Sequence, residues 1–188
     1  MKLLYLLRIW VLLLFLASPC AAQLTFSKAH SHNDYHQSLP FYKAFSEGFG
    51  SMEVDVFFVK GELLVGHDKS ELKSERNLAS LYLDPLQSVV EEIRDIQLLI
   101  DIKSEPYSTL DAIQKQLLQY PDLINNSRIR FVVSGNRPKP FEYSNYPLFI
   151  WFDGRLSEKY TDDQFDRIAL MSESMPGFLG KENIWPLL

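Results

Sequence analysis

The sequence predicts an α/β fold, a TIM-type (β/α) barrel that is incomplete, with about six of the eight strands of a full barrel. Short apolar runs alternate with stretches of helical periodicity, and this alternation predicts parallel strands joined by helical crossovers. Runs such as "RFVVSG" and "PLFIWFDG" are apolar throughout, as strands buried on both faces are. Polar residues stand where strands end, as at the active rim of a barrel: His30, Asp101, Lys103, Ser134 and Asp153.

The first third of the chain predicts two strands around a helix, followed by a hairpin. Residues 24–30 have the pattern of a strand and residues 39–48 that of a helix, which Gly48 ends. A second strand is predicted over 51–59. Lys60 and Gly61 then turn the chain back into a short strand over 62–66.

The rest of the chain repeats the alternation of helix and strand. Asp84 and Pro85 have the residue types of an N-cap and a first helical position, so they predict a helix that begins there. Ser108, with Asp111 three residues later, resembles a capping box and predicts a helix from 108 to about 120. Strands are predicted over the apolar runs at 97–103, 130–134, 148–152 and 168–172.

The first 22 residues have the organisation of a secretory signal peptide. Lys2 and Arg8 accompany a run of large apolar residues, and small residues at 17–22 precede the expected cleavage site. The alternative is a retained anchor, but a membrane span needs roughly 20 apolar residues in a row, and Arg8 interrupts this run. We expect an exported protein, periplasmic or secreted, with no stable membrane anchor after cleavage and with one domain over residues 23–188.

The composition is that of a globular domain, with 46% hydrophobic and 13% aromatic residues. The single cysteine, Cys20, lies in the expected signal peptide, so no disulfide is expected in the domain. Removal of Lys2 and Arg8 takes away two positive charges, so the formal net charge of −5 becomes −7. An acidic domain without a basic patch is a poor partner for nucleic acid, and we expect none.

Three carboxylates on predicted strands indicate a cation site. Glu53 and Asp55 are two positions apart in "SMEVDVFFVK", so both point to the same face of the strand. Carboxylates on an apolar strand are costly to bury unless a cation lies between them. Asp101 in "LLIDIKSEP" repeats the pattern, with Lys103 following on the same face. Three carboxylates supply the oxygen ligands that Mg²⁺ or Ca²⁺ prefers. The alternative to a cation site is an edge strand whose carboxylates face solvent.

Three of the four histidines fall within "KAHSHNDYHQ", residues 28–37. This stretch fits a metal-binding His-x-His, an acid/base site, or a polar loop that is rich in histidine. The fourth histidine, His67, ends the motif "LLVGHD". Later strands contain no further histidine to complete a His-rich metal site, so the metal is predicted at the carboxylates. His36 is interpreted as a loop residue.

The order of these motifs resembles the phospholipase-C-like (PLC-like) phosphodiesterase superfamily, which includes glycerophosphodiester phosphodiesterases and sphingomyelinase D toxins. The resemblance rests on a strand ending in "AH", the pair in "MEVDV", a turn followed by "LLVGHD", and then "LLIDIK". Within the superfamily, "HSHNDY", "LLVGHD" and "LYLDPL" are most similar to the altered-inheritance-of-mitochondria-type group of PLC-like phosphodiesterases. The resemblance covers roughly residues 28–172.

The resemblance implies a TIM-type barrel with two catalytic histidines. It assigns His30 and His67 as the acid/base pair, with His32 as the competitor of His30. Histidine side chains can both accept and donate a proton, so a pair of them suits the removal of a proton from a nucleophile and the delivery of a proton to a leaving oxygen. Asn33 and Asp34 are expected at the rim, in contact with a glycerophosphodiester or another small, phospholipid-derived substrate. The nucleophile that attacks the phosphate is either a neighbouring hydroxyl of the substrate or water, and the sequence leaves both routes open.

The resemblance also implies one divalent cation, Mg²⁺ or Ca²⁺, on Glu53, Asp55 and Asp101. It assigns Lys103 as a contact to the phosphate. Arg137 and Arg155 are further candidates for this contact, although loop arginines are more often solvated.

Two other interpretations stay open. The His-x-His motif is also similar to the metal motif of amidohydrolase-type enzymes, which take further histidines from later strands. A chain with about six strands also fits a non-catalytic binding protein or a truncated remnant, since a full barrel takes about 250 residues. An open barrel leaves two sheet edges exposed, so a homo-oligomer is expected if the chain is complete.

Overall fold

The computed structural model describes residues 27–173 of the 188, and its centre is a seven-stranded sheet. The strands are β1 (His30–Ser31), β2 (Ser51–Val59), β3 (Glu62–Val65), β4 (Ile96–Ile102), β5 (Ile129–Gly135), β6 (Ile150–Arg155) and β7 (Ile168–Ser172). Six strands run parallel in the order β1-β2-β4-β5-β6-β7, and β3 pairs antiparallel with β2. The sheet curls into a half-barrel, which is compatible with the incomplete barrel that the sequence predicts.

Short helices connect the strands and cover one face of the sheet. They are α1 (Tyr42–Glu47), α2 (Asp84–Ser88), α3 (Pro106–Leu117), α4 (Pro121–Ile124) and α5 (Asp162–Phe165). Further 3₁₀ segments lie at Asp34–His36, Lys69–Glu71, Val90–Glu92 and Pro140–Asn145. Leu110, Ile113 and Leu117 of α3 recur at helical spacing and are fully buried. Between residues 27 and 173, no helix is long and apolar enough to cross a membrane.

The hydrophobic core lies between the sheet and these helices. Met52, Val54 and Val56 alternate along β2 and are at most 1% exposed, packed in the core with the apolar side chains of the other strands and helices. Burying a side chain of this size contributes about 1.5–3 kcal/mol. One face of β2 therefore stabilises the fold, which leaves the opposite face for polar residues.

The polar residues of the strands meet at one rim because parallel strands end at the same edge. The register places Asp55 beside Asp101 on β4, and Asp101 beside Ser134 on β5. The predicted strand over 51–59 and the turn at Lys60 and Gly61 are confirmed; the two turn residues have φ values of 52° and 90°.

Helix α2 starts at Asp84, as the sequence predicts, and Pro85 lies in its first turn. The N-cap role predicted for Asp84 is wrong. A π-helical turn, Ala79–Leu83, runs directly into α2, and Asp84 already has helical backbone angles. Asn77 caps this longer segment, because its Oδ1 accepts a hydrogen bond from the Ser80 N–H at 2.9 Å. The Asp84 carboxylate instead accepts a hydrogen bond from the Tyr120 hydroxyl at 2.7 Å.

The capping box predicted at Ser108 is also wrong. Helix α3 begins at Pro106, and Glu105 is its cap: the Glu105 carboxylate accepts hydrogen bonds from the backbone N–H groups of Tyr107 and Ser108. The Ser108 hydroxyl donates to the same carboxylate at 2.6 Å. Proline fits the first helical position because its missing N–H has no partner to lose there.

The strands predicted over 62–66, 97–103, 130–134 and 168–172 agree with the structure to within one residue at each end, a normal difference. The first predicted strand, 24–30, is wrong over residues 27–29: Ser27 and Lys28 form a turn, and β1 is only His30–Ser31. The run predicted over 148–152 starts as a strand at Ile150 and continues to Arg155. The predicted signal peptide at 1–22, residues 24–26 of the first predicted strand and the tail beyond residue 173 lie outside the described residues.

Candidate active site

Three carboxylates form the centre of the candidate site. One oxygen from each of Glu53, Asp55 and Asp101 lies within 4.8 Å of the others, so the three could hold a metal ion. Asp55 is fully buried and Glu53 is 8% exposed. The Oδ1 atoms of Asp55 and Asp101 are buried without a hydrogen-bond partner among residues 27–173. Buried carboxylate oxygens with no donor are costly, and a hard divalent cation is a ligand that fits them.

Lys103 supplies one positive charge to this cluster. Its Nζ lies 2.7 Å from Asp101 Oδ2 and 3.3 Å from Asp55 Oδ2. Burial alone would lower the pKa of Lys103, but the hydrogen bonds and charges of Asp101 and Asp55 outweigh it and raise the pKa. Burial raises the pKa of Asp101 despite the bond to Lys103, and the charges of Asp55 and Glu53 raise it further. Three carboxylates around one ammonium group leave an excess of negative charge that a divalent cation would neutralise.

His30 is fixed on the β1 side of the cluster. Its Nε2 lies 3.0 Å from Glu53 Oε2, and its Nδ1 lies 2.8 Å from the Ser51 hydroxyl. His32 approaches the same Glu53 oxygen only to 3.7 Å, and its side chain is 72% exposed. Burial opposes ionisation of Glu53, but the hydrogen bond from His30 and the charge of His32 give a net lowering of its pKa. Of the two histidines, His30 therefore has the more defined position.

His67 is fixed on the other side, at the carboxylate two positions further along β2. Its Nδ1 lies 3.0 Å from Asp55 Oδ2, and its backbone N–H donates to Glu71 Oε2 at 2.8 Å. The Tyr35 hydroxyl donates to the same Asp55 oxygen at 2.9 Å. The two oxygens of Asp55 thus have different surroundings. Oδ2 accepts hydrogen bonds from protein groups, whereas Oδ1 has no partner among residues 27–173.

The loop between β1 and α1 is organised around Asp34. Its side chain is fully buried and accepts hydrogen bonds from the Ser31 hydroxyl at 2.7 Å, the Phe41 backbone N–H at 2.6 Å and the Tyr82 hydroxyl at 3.1 Å. Asn33 has left-handed backbone angles, φ 48° and ψ 47°. Asp34 therefore orders the loop from a buried position, and the neighbouring Asn33 is half-buried.

A cavity of about 600 Å³ opens on the polar face of the sheet. Its walls include both histidines of the β1 end and two of the carboxylates, together with polar residues of β5, β6 and β7. The lining includes His30, Glu53, Asp101, Ser134, Asp153, Arg155 and Ser172. A cavity of this volume accommodates a small-molecule ligand.

The two arginine candidates differ in position. Arg137 is turned away from solvent: its NH2 lies 2.7 Å from Glu158, and its guanidinium contacts the face of Tyr143. Arg155 lines the cavity, with its NH2 3.4 Å from the Gly135 carbonyl. Arg155 is therefore the arginine available to an anionic ligand.

The Arg137–Glu158 pair predicts a pH-dependent stability. Burial opposes ionisation of Glu158, but the hydrogen bonds from Arg137 and Tyr160 lower its pKa overall. A lowered pKa in the folded state means that the stabilisation is present above the pKa of the unfolded chain and is lost as the pH falls through the folded value. We expect Glu158→Gln to lower the free energy of unfolding by about 1 kcal/mol at neutral pH. In urea titrations this difference should vanish in acid; a difference that persists unchanged would contradict it.

Gly135 permits the position of Asp101. A Cβ atom on Gly135 would overlap the Asp101 carboxylate and lie 2.6 Å from the Ile102 carbonyl oxygen, and its φ of +67° is unfavourable for other residues. We expect Gly135→Ala to destabilise the fold by roughly 1–3 kcal/mol and to weaken the cation-induced increase in melting temperature. Gly61→Ala is the matched control, because Gly61 also has positive φ but has open space around it. An equal cation-induced increase in melting temperature in Gly135→Ala and Gly61→Ala would contradict the role of Gly135 in positioning Asp101.

Sequence reasoning did not identify Tyr35, Ser51 and Gly135 as parts of the site. Ser51 follows the same alternation as Glu53 and Asp55, so the period of two along β2 was a usable signal. Tyr35 and Gly135 reach the carboxylates through contacts between distant strands and loops, and the sequence pattern has no signal for these.

Comparison with known proteins supports the resemblance. Residues 20–97 match the family model described as an AIM6-like phosphodiesterase domain, which confirms the similarity to this group of PLC-like phosphodiesterases. The matched stretch contains His30, Glu53, Asp55 and His67 and ends before Asp101.

Curated relatives named Altered inheritance of mitochondria protein 6, or its homolog, match parts of the chain in alignments that range from 69 to 157 residues in three examples. The homolog of Arthroderma benhamiae is 46% identical over 69 residues, 34% of this chain and 22% of the relative. The Eremothecium gossypii protein is 33% identical over 99 residues, 51% of this chain and 25% of the relative. The Kluyveromyces lactis protein is 33% identical over 157 residues, 58% of this chain and 38% of the relative. The matches thus span well under half of each relative, and no solved structure matches significantly.

Proposed function

Starting from the similarity to the AIM6-like phosphodiesterase domain, we propose that the chain is a divalent-metal-dependent phosphoric diester hydrolase. Its substrate is a glycerophosphodiester or a small phospholipid-derived diester. The observation that carries the proposal is that each histidine has its own carboxylate on one strand, His30 with Glu53 and His67 with Asp55. Alternate residues of a strand are roughly 6.5 Å apart, so the two imidazoles are held at separate points of a site of phosphate size.

In this proposal His30 and His67 transfer the protons. One imidazole takes a proton from the attacking hydroxyl or water, and the other gives a proton to the leaving alcohol oxygen. Glu53 and Asp55 orient the two rings through the hydrogen bonds described above. His32 can take the place of His30 only by moving closer to Glu53 than 3.7 Å.

The remaining charged residues handle the phosphate. Glu53, Asp55 and Asp101 would hold one Mg²⁺ or Ca²⁺, which would neutralise charge on the phosphoryl oxygens when bound. Lys103 keeps its charge because its pKa is raised, and it contacts the phosphate. Arg155 adds a second positive group from the cavity wall.

We also propose the complete fold, the location and the oligomeric state that the sequence predicts. The described half-barrel is part of a TIM-type barrel in an exported protein that binds no nucleic acid. Strands β1, β3 and β7 each pair with one neighbour in the described sheet. Exposed edges favour association, so a homo-oligomer is expected if no other segment covers them.

The amidohydrolase-like alternative is less well supported. Among residues 27–173, the side chains that could jointly hold a metal ion are three carboxylates, with no histidine among them. His30 contacts Ser51 and Glu53 instead. A non-catalytic binding protein is the other alternative, and an activity measurement separates it from the proposal.

The experiment is ³¹P NMR of glycerophosphocholine incubated with the full chain and Mg²⁺, Ca²⁺ or EDTA. We expect a new phosphorus signal with a divalent cation and none with EDTA. A cyclic phosphate would identify attack by the neighbouring hydroxyl, and a phosphomonoester would identify attack by water. Turnover in EDTA would contradict metal dependence, and no turnover with any cation would favour the binding-protein alternative.

A further inference from the structure

Asp153 is a buried carboxylate outside the metal cluster. It lies on β6, is 1% exposed, and lines the same cavity as His30 and Asp101. Its Oδ2 accepts hydrogen bonds from the hydroxyls of Ser134 at 2.8 Å and Ser172 at 2.6 Å. Its Oδ1 is buried with no hydrogen-bond partner among residues 27–173. Neither the proton transfers nor the proposed cation site uses this group.

The position of Asp153 separates it from the cation. Strands β4, β5 and β6 are neighbours in the sheet, so Asp153 is two strands away from Asp101, about 10 Å at ordinary strand spacing. This separation is too large for a shared metal ion but suits a ligand whose phosphate lies at the cluster and whose alcohol part extends across the cavity.

The hydrogen bonds around Asp153 determine whether this part of the cavity presents donors or acceptors to a ligand. Because Ser134 and Ser172 both point their hydroxyl protons at Asp153, they present only lone pairs to any other partner. Asp153 Oδ1 adds a further acceptor. Ser134, Asp153 and Ser172, which we call the acceptor wall, can therefore bind hydrogen-bond donors and cannot donate to a phosphate.

We propose that the acceptor wall recognises hydroxyl groups on the alcohol part of the phosphodiester and selects polyol substrates. This inference rests on the proposed function, because the phosphate must lie at the cluster for the alcohol to reach the wall. A hydroxyl fits better than an ammonium group, since the guanidinium of Arg155 extends from the same strand into the same cavity and repels a second cation.

The test is isothermal titration calorimetry of the full chain in Mg²⁺ with three phosphomonoesters, which require no turnover. Glycerol 3-phosphate carries two hydroxyls, propyl phosphate is its apolar analogue, and phosphoethanolamine carries an ammonium group. For the wild-type chain we expect glycerol 3-phosphate to bind at least tenfold more tightly than propyl phosphate. Asp153→Asn should reduce that preference about 10- to 100-fold, since hydrogen bonds to charged groups contribute most. Ser172→Ala should reduce it about 2- to 10-fold.

The outcomes separate the two proposals. Equal affinity for glycerol 3-phosphate and propyl phosphate, or a preference that Asp153→Asn leaves intact, would overturn the acceptor wall while leaving the phosphate site. Tighter binding of phosphoethanolamine would overturn the choice of hydroxyl over ammonium. Absence of binding by all three would overturn the proposed function as well. A purely structural role of Asp153 would weaken all three ligands equally, and melting temperatures of both variants show whether they fold.

Discussion

His67→Ala is expected to reduce kcat/KM for a phosphodiester by about 10²- to 10⁴-fold, the usual contribution of a general acid or base. The His67 ring contacts Asp55 Oδ2 at 3.0 Å and is half-exposed, so its loss removes a proton-transfer group and little of the core. The free energy of unfolding should therefore change by less than about 1 kcal/mol. Steady-state kinetics and urea unfolding of the same preparations measure the two effects.

Substitutions of the other three histidines give the comparison for this prediction, with His36→Ala as the control. His36→Ala should leave the rate within a factor of about three, because the His36 side chain is half-exposed and lies 3.6 Å from Glu71, outside the carboxylate cluster. His30→Ala should resemble His67→Ala, and His32→Ala should have a smaller effect. If His32→Ala proves more damaging than His30→Ala, the roles of these two residues are reversed.

The second large effect is expected at the carboxylates. Asp101→Asn preserves the shape of the side chain but removes one of three charged oxygen ligands, so we expect affinity for Mg²⁺ or Ca²⁺ to fall at least 100-fold, on the order of 3 kcal/mol. Cation-dependent activity should fall with it. Calorimetric titration of the metal alone gives the affinity without reference to turnover.

Asp111→Asn is the matched control for the metal titration, because Asp111 is an exposed carboxylate that pairs with Lys115 on α3. Its metal affinity should equal that of the wild-type chain. Unchanged metal binding by Asp101→Asn would show that the three carboxylates form a structural charge cluster with Lys103 instead of a cation site.

The sequence predicts the carboxylate site because the determinants are local. A period of two along β2 puts Glu53 and Asp55 on one face, and the end of an apolar run places Asp101 at the same rim. These inferences need only the regular geometry of strands, and the parallel register confirms that Asp55 and Asp101 are neighbours.

The rest of the site depends on tertiary contacts. Asp34 has the residue type of an exposed loop position, but its carboxylate turns inward to bond Tyr82, 48 positions later in the chain. Arg137 and Arg155 look alike in sequence, yet Arg137 is paired with Glu158 and Arg155 lines the cavity. Whether a loop residue presents its side chain to the site depends on partners far along the chain.

Helix starts were predicted less well for a related reason. Ser, Asp and Pro all favour the first turn of a helix, so several nearby positions compete for the cap. At α3 the carboxylate of Glu105 takes the cap position ahead of Ser108. The residue types alone therefore do not decide which nearby position takes the cap.

The central claim is that one cation-dependent site with two histidines cleaves a phosphodiester. The most direct measurement is the initial rate of p-nitrophenol release from glyceryl p-nitrophenyl phosphate, which allows attack either by a neighbouring hydroxyl or by water. The full chain and His67→Ala are compared in Mg²⁺ or Ca²⁺, after addition of EDTA, and after the cation is restored. We predict activity that EDTA abolishes, that the cation restores, and that His67→Ala lacks. Activity that survives both EDTA and His67→Ala would contradict the claim.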